Sequence, residues 1–321
     1  MTAIRAESLY AYYGTRAAVN GLDLAVPEGS TFGFLGPNGA GKTTTISMLT
    51  TLLKPTAGRA EVAGFDVARQ PAEVRRRIGI VFQESTLDLE LTAVENLRFQ
   101  AGLCGLPRHE ARTAIAAMLE LMELSARGGV PVRQYSTGLR RRLEIARGLL
   151  GAPRVLFLDE PTTGLDAQTR AAVWDHLDRL RREQGITLFF TTHQLEEAEH
   201  CDQVAIVDRG KVITQGTPAE LKTVIGSDVV VLRTEDDTRA ADAVSERFGI
   251  AAEPTPDGLL LRVADGAGLV PRLCTGLGLT VHSVSVAPPT LDDVFLHHTG
   301  SAIRETGTNA HTLNNIGEGL R

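Results

Sequence analysis

The stretch Gly36-Pro37-Asn38-Gly39-Ala40-Gly41-Lys42-Thr43-Thr44 limits what this chain can fold into, because it fits the pattern G-x-x-x-x-G-K-[ST] between a strand-like and a helix-like run. Before it, Thr31-Phe32-Gly33-Phe34-Leu35 is a short apolar run of strand type; after it, Thr43 to Leu53 repeats Ile46, Leu49, Leu52 and Leu53 at helical spacing. A strand therefore feeds a tight turn that opens a helix. The loop from Gly36 through Asn38, Gly39, Ala40 and Gly41 turns backbone N–H groups inward on a phosphate, and the helix start at Thr43 and Thr44 adds the positive end of its dipole. Lys42 is expected to neutralise β- and γ-phosphates and the Thr43 hydroxyl to ligate Mg²⁺. A glycine-rich turn that binds nothing is the alternative, and the complete pattern in its strand–turn–helix context argues against it.

Arg154-Val155-Leu156-Phe157-Leu158-Asp159-Glu160 is an apolar strand ending in two carboxylates. Asp159 is expected to hold the metal through its water shell and Glu160 to polarise an attacking water. The strand Ile78 to Phe82 ends at Gln83, and His193 follows the strand Ile186 to Thr191. Ligands of open α/β sheets gather at such carboxyl ends. His193 there is read as a γ-phosphate contact rather than as a structural histidine.

The rest of the chain gives these strands a context. Ile4 to Tyr10 and Val19 to Val26 read as antiparallel strands with Gly14 and Gly21 near their turns and Tyr12 and Tyr13 between them. Arg59 to Ala63 is a further strand. Thr92 to Leu103 and Arg108 to Leu124 are helical, separated by Gly105-Leu106-Pro107, and after a loop a third helix runs from Ser136-Thr137 to Leu150. Helix Ala167 to Arg182, a helix near Leu195 to His200, strand Val204 to Val207 and helix Ala219 to Ile225 complete an alternating α/β pattern. Beyond Gly226-Ser227 the order β-α-β-β-α-β restarts, which suggests a ferredoxin-like module. Thr306 to Arg321 is polar and reads as a disordered tail.

With 321 residues, 43% hydrophobic and 22% charged, the chain suits one large core plus a smaller domain. Its formal net charge of −6 gives no basic excess, so no nucleic-acid partner is expected. The triplets Arg75-Arg76-Arg77 and Arg140-Arg141-Arg142 read as solvated or locally paired helix faces. No apolar run approaches the ~20 residues of a membrane span, and a cytoplasmic location is expected. Cys104, Cys201 and Cys274 lack metal-ligand spacing and read as reduced thiols.

Taken in order, these motifs resemble the ATP-binding subunit of an ABC transporter. Gly36 to Thr44 matches its Walker A motif, Gln83 the Q-loop, Val155 to Glu160 the Walker B motif with the catalytic glutamate, Gly164-Leu165-Asp166 the D-loop, and His193 the switch histidine. Tyr13 matches the aromatic residue that stacks on adenine, with Tyr12 as the neighbouring alternative. The signature, usually LSGGQ, falls on Tyr135-Ser136-Thr137-Gly138-Leu139, where Thr137 and Leu139 depart from it. A side chain at 137 restricts the approach of a phosphate, which implies slower hydrolysis or dependence on a partner. Pro289 to Leu296 is similar to the tail of the daunorubicin-resistance (DrrA-like) exporters. Its Leu291, Val294 and Phe295 form an apolar helix face that docks on the module or on a partner cassette.

The resemblance implies an α/β P-loop NTPase with an antiparallel N-terminal β region and a helical insertion at about 91–150. Residues 1–226 would be the nucleotide-binding domain and 227–300 a small α+β accessory or dimerisation domain. It implies a homodimer that sandwiches ATP and Mg²⁺ head to tail, with Ser136, Gly138 and Asp166 acting across the interface. Gln83 is expected to be both catalytic and a metal contact. A separate integral-membrane permease would dock beside Gln83, on the inner face of the membrane. Export of a hydrophobic, antibiotic-like molecule is the expected task. Lipid, polysaccharide or ion transport, and a soluble ABC ATPase, are the alternatives.

Overall fold

The computed structural model describes residues 1–225 and 228–299. The boundary at Gly226-Ser227 and the 301–321 tail lie outside them.

Two strands, β1 (Thr2–Tyr13) and β2 (Arg16–Pro27), form an antiparallel hairpin across Gly14. After β3 (Thr31–Leu35) and α1 (Lys42–Leu49), the hairpin is extended by β4 (Ala57–Val62) and β5 (Phe65–Asp66) into a sheet of order β2-β1-β4-β5. Then come α2 (Pro71–Arg75), β6 (Ile78–Val81), α3 (Ala93–Leu103), α4 (Arg108–Leu121), α5 (Thr137–Leu149), β7 (Val155–Asp159), α6 (Ala167–Gln184), β8 (Thr187–Thr192), β9 (Gln203–Asp208), β10 (Lys211–Gly216) and α7 (Pro218–Ile225). The central sheet runs β10-β9-β3-β8-β7-β6, parallel except at the β10 edge.

Strands β3, β7 and β8 are buried along their whole length, as expected for apolar runs covered on both faces. Alternate residues serve two cores. Phe32, Phe34, Phe157 and Phe189 face α1 and the antiparallel sheet, with Phe189 stacked 5.6 Å from Phe32. Leu35, Leu156, Leu158, Leu188 and Phe190 face the helices. The helical insertion belongs to that second core through Leu97, Ile115, Leu119 and Leu143, and α3 opens on a Thr92–Glu95 capping box.

Several local expectations are corrected. Tyr12 and Tyr13 are the last residues of β1, not a linker, because the turn is only Gly14-Thr15. Gly21 lies inside β2 at φ +69°, where the register shifts opposite Leu9 and Tyr10, so it forms a bulge rather than a turn. Helix α1 stops at Leu49, since the Thr50 hydroxyl bonds back to Ile46 O and Thr51 takes φ +66°; Leu52, expected on its apolar face, is exposed. Leu195–His200 is a 3₁₀ segment. Strand β10, which sequence reasoning missed, returns through Arg209-Gly210, both at positive φ, as hairpin turns favour.

The C-terminal strands β11 (Asp228–Thr234), β12 (Ala252–Thr255), β13 (Gly258–Val263) and β14 (Val281–Ala287) form an antiparallel sheet of order β12-β13-β11-β14. Helices α8 (Asp237–Phe248) and α9 (Gly266–Gly276) complete the split βαβ order. Val230, Leu232, Val244, Leu259, Leu261 and Leu273 make its separate core. The last helix, α10 (Leu291–Thr299), belongs to neither that core nor a second copy's: Leu291, Val294 and Phe295 are buried with Leu195, Ala198 and Leu221 of this chain's own N-terminal unit. Arg262 on β13 reaches Asp293 at 3.2 Å and ties the module to it.

Candidate functional site

The phosphate loop leaves β3 at the carboxyl end of the central sheet, and its shape demands glycine at two places. A Cβ on Gly36 would lie 2.3 Å from Val207 O, and one on Gly41, at φ +103°, would lie 2.4 Å from Ala18 O. Asn38 and Gly39 are exposed at the tip, and Ala40 is buried beneath it. Among the described residues the amides of Gly41, Lys42, Thr43 and Thr44 make no hydrogen bond within the chain, so they point outward as a helix start does toward an anion.

Lys42 is 5% exposed and donates to Gly36 O at 2.7 Å and Pro37 O at 3.2 Å. Burial pushes its pKa down, and the carboxylates of Glu160 and Asp159 push it back up. A buried ammonium held against its tendency to lose charge is a strong receptor for phosphate oxygens.

Strand β7 delivers the two carboxylates. Asp159 accepts the Thr191 hydroxyl, whose oxygen in turn accepts the Glu160 amide at 3.0 Å. Thr191 was not singled out from the sequence; its signal is a polar residue near the end of a buried strand, paired in register with Asp159. Glu160 itself takes φ +47°, which turns its carboxylate back over the sheet's edge. There it meets Lys42 Nζ at 3.6 Å, accepts Gln83 Nε2 at 3.0 Å and the Thr163 hydroxyl at 3.2 Å, and lies 3.3 Å from His193 Nδ1. Three stretches distant in the chain, those of Lys42, Gln83 and His193, converge with neighbouring Thr163 on one carboxylate that is 8% exposed. His193 Nδ1 is buried and has no aligned hydrogen-bond partner, which leaves it able to serve an incoming group.

The donor set also suits a nucleotide-bound magnesium ion. Among the described residues no group of three or more His, Cys, Asp and Glu could hold a metal. Thr43, Asp159 and Gln83 offer oxygen atoms, a hydroxyl, a carboxylate and an amide carbonyl, which is the donor chemistry Mg²⁺ takes.

The remaining candidates lie apart from this cluster. Ser136 is the N-cap of α5 and accepts the Leu139 amide at 3.4 Å. A Cβ on Gly138 would come 2.5 Å from Thr169 Cγ2, so this glycine lets α5 abut the first turn of α6. Asp166 caps α6, accepting the Thr169 amide at 2.9 Å and its hydroxyl at 2.7 Å. Those hydrogen bonds, the hydroxyl's first, hold its carboxyl below the usual range. No hydrogen bond or ion pair joins Ser136, Gly138 or Asp166 to the Lys42–Glu160 cluster among the described residues. Tyr12 and Tyr13 at the end of β1 are both exposed, and Tyr12 lies parallel to Tyr10, ring centroids 6.3 Å apart. Arg16, opposite Tyr13 in the hairpin, brings Nη2 3.9 Å from where a Cβ on Gly39 would be and so overhangs the loop; sequence reasoning passed over it. Arg141, read as part of a solvated or locally paired triplet, is buried.

Beside Gln83 a groove of about 600 Å³ runs between the sheet and the helical insertion, lined by Leu52, Ile80, Phe82, Leu103, Leu106 and Arg147. No helix among the described residues is long and apolar enough to cross a membrane.

The model of the ABC transporter family matches residues 19–163. The daunorubicin resistance ATP-binding protein DrrA3 of Streptomyces coeruleorubidus is 44% identical over 306 residues, covering 93% of this chain and 96% of that protein. The Nod factor export ATP-binding protein I of Ralstonia nicotianae is 38% identical, covering 93% of this chain and 94% of that protein. Among solved structures, cbiO1 of Clostridium perfringens, part of the ABC transporter complex cbiONQ, superposes with a TM-score of 0.64 at 29% identity, over 77% of this chain and 96% of that one. A dimeric post-hydrolysis state of the cassette MJ0796, bound to ADP and Pi, gives 0.61 at 26% identity, over 67% of this chain and 98% of that one. The phosphate loop, the carboxylate hub and these likenesses lead to one conclusion: the chain belongs to the ATP-binding subunits of ABC transporters and is an ATPase of that type.

Proposed function

We propose that this chain is the MgATP-driven motor of an exporter, acting as a head-to-tail dimer on the inner face of the membrane and driving a separate permease that carries a hydrophobic, drug-like molecule. The observation that carries the reading is the convergence of Lys42, Gln83, Thr163 and His193 on Glu160. Residues 1–226 form the nucleotide-binding unit, with 91–150 its helical part, and 227–300 an accessory unit.

Lys42 and the amides at the start of α1 hold the β- and γ-phosphates. Thr43 and Asp159, with Gln83, hold the Mg²⁺, which when bound offsets charge on the phosphates. Glu160 accepts a proton from the attacking water, and His193 steadies the γ-phosphate. Tyr13 presents its ring to adenine. Ser136 and Gly138 of a second copy close the site from the other side, and Asp166 sits at the seam. Thr137 at the start of α5 crowds that approach and slows turnover.

The groove beside Gln83 fits a helix of the permease, with exposed Leu103 on its insertion side. The names of the daunorubicin-resistance relatives favour a drug-like cargo, and those of the Nod factor relatives favour a different one. Co-purification from gently solubilised membranes separates transport from a soluble role, since recovery with ribosomal or DNA-repair partners alone rejects export. For the chemistry, Glu160→Gln is expected to keep ATP affinity and lose about 10²- to 10⁴-fold in phosphate release. Near-parental release rejects the assignment.

A further inference from the structure

Arg141 stands in the second turn of α5 and is 7% exposed. Its Nε donates to Pro161 O; Nη1 donates to Phe82 O at 2.7 Å and to Glu144 Oε2 at 2.8 Å; Nη2 donates to Asp159 O at 3.2 Å and Glu160 O at 3.0 Å. A guanidinium has five N–H groups in a fixed fork, so every one is in use. Four of the acceptors are main-chain carbonyls at or just past the ends of β6 and β7, where the sheet's own ladder gives out. One precedes Gln83 and the other three bracket Glu160, the residue at φ +47°. Glu144, buried on the same helix, balances the charge.

A side chain that bonds the main chain at and on both sides of Glu160 controls where that carboxylate points. One carried on α5 makes the direction answer to the position of the Ser136–Gly138 helix start. We propose that Arg141 is the positioning residue of the hydrolytic centre: it fixes the Glu160 backbone and the root of the Gln83 loop, and couples both to the signature helix. It touches neither nucleotide nor water. The proposal rests on Glu160 as the water-activating group.

The test is ATP hydrolysis by the full chain carrying Arg141→Met or Arg141→Lys, with thermal melting and equilibrium ATP binding measured on the same samples. Arg141→Met keeps the stem and removes all five donors; it is expected to lower kcat by about 100-fold while KM and ATP affinity stay within about threefold. Arg141→Lys restores the charge and three differently aimed donors, and is expected to recover about tenfold of that loss. Combined with Glu160→Gln, Arg141→Met should cost almost nothing more, since both act on one step.

A folded Arg141→Met protein within about twofold of the parent overturns the proposal, as does full additivity with Glu160→Gln. If Arg141→Met does not fold, Glu144→Gln serves. It is expected to lower kcat about tenfold, with a lowered melting temperature because the buried guanidinium loses its counter-charge, and an unchanged kcat in the folded protein overturns the coupling. A parent whose hydrolysis is insensitive to Glu160→Gln defeats the functional reading itself, a result visible before any Arg141 variant is made.

Discussion

The two parts of the proposed nucleotide site are built in opposite ways. In the first part Lys42, Asp159 and Glu160 are buried and tied to partners distant in the chain. At Ser136, Gly138 and Asp166 the polar groups are satisfied locally, as helix caps, and point to nothing else in their own chain. The first part is an organised receptor. The second is a pair of stabilised helix starts whose remaining capacity faces outward. The contrast teaches that folding one chain organises the Lys42–Glu160 part alone; on the function proposed above, the other half comes from a second copy.

Mixing two inactive variants breaks or sharpens this most directly. Lys42→Ala and Ser136→Ala should each be nearly silent alone, yet a one-to-one mixture of the two should return roughly a quarter of the parental rate. Half of randomly paired dimers are mixed, and each of those has one intact site. No recovery would place Ser136 in the same site as Lys42 of its own chain, or outside the site altogether.

Gly138→Ala separates packing from phosphate contact. Its methyl meets Thr169 Cγ2, which the Asp166 hydrogen bond holds in place, so about 1–3 kcal/mol of stability should be lost in urea unfolding. Adding Thr169→Ser removes that methyl and keeps the hydroxyl; stability should return. Any hydrolysis still missing then belongs to the contact between copies.

The smallest effect is at Asp166, whose folded-state pKa lies below its ordinary 3.8 because Thr169 donates to the carboxylate. The unfolded chain therefore takes up a proton first as pH falls. The cap's contribution is complete above the unfolded value and lost as pH drops through the lower, folded one. Urea midpoints measured from about pH 5 to about pH 2 should fall less steeply for Thr169→Val than for the parent. Equal slopes would show that the cap carries no proton linkage.

Much of this was legible because the chemistry is written in contiguous patterns. Apolar runs announced β3, β7 and β8, and the residues that follow them marked the edge of the sheet at which Lys42, Glu160 and His193 meet. What stayed hidden depends on three-dimensional neighbours. Nothing in Arg140-Arg141-Arg142 tells which of three arginines turns inward, since that is set by where the β6 and β7 carbonyls end. Thr191 looks like any strand threonine until its register with Asp159 is known. The positive φ of Thr51 and the return of β10 are matters of local backbone that helix and strand periodicity do not report. The apolar face of α10 could be read from Leu291, Val294 and Phe295, but not the surface it covers, because an amphipathic face carries no address.

That surface has a consequence for how the molecule can change. Helices α7 and α10 are buried in one core, and everything between them, β11 to β14 with α8 and α9, is strung between two adjacent anchor points. The C-terminal module is thus held like a pendant on a closed clasp rather than like a bead on a string. A lineage could exchange, shorten or lose the pendant while both halves of the clasp stay in the ATPase core, leaving the phosphate loop and the carboxylate hub undisturbed.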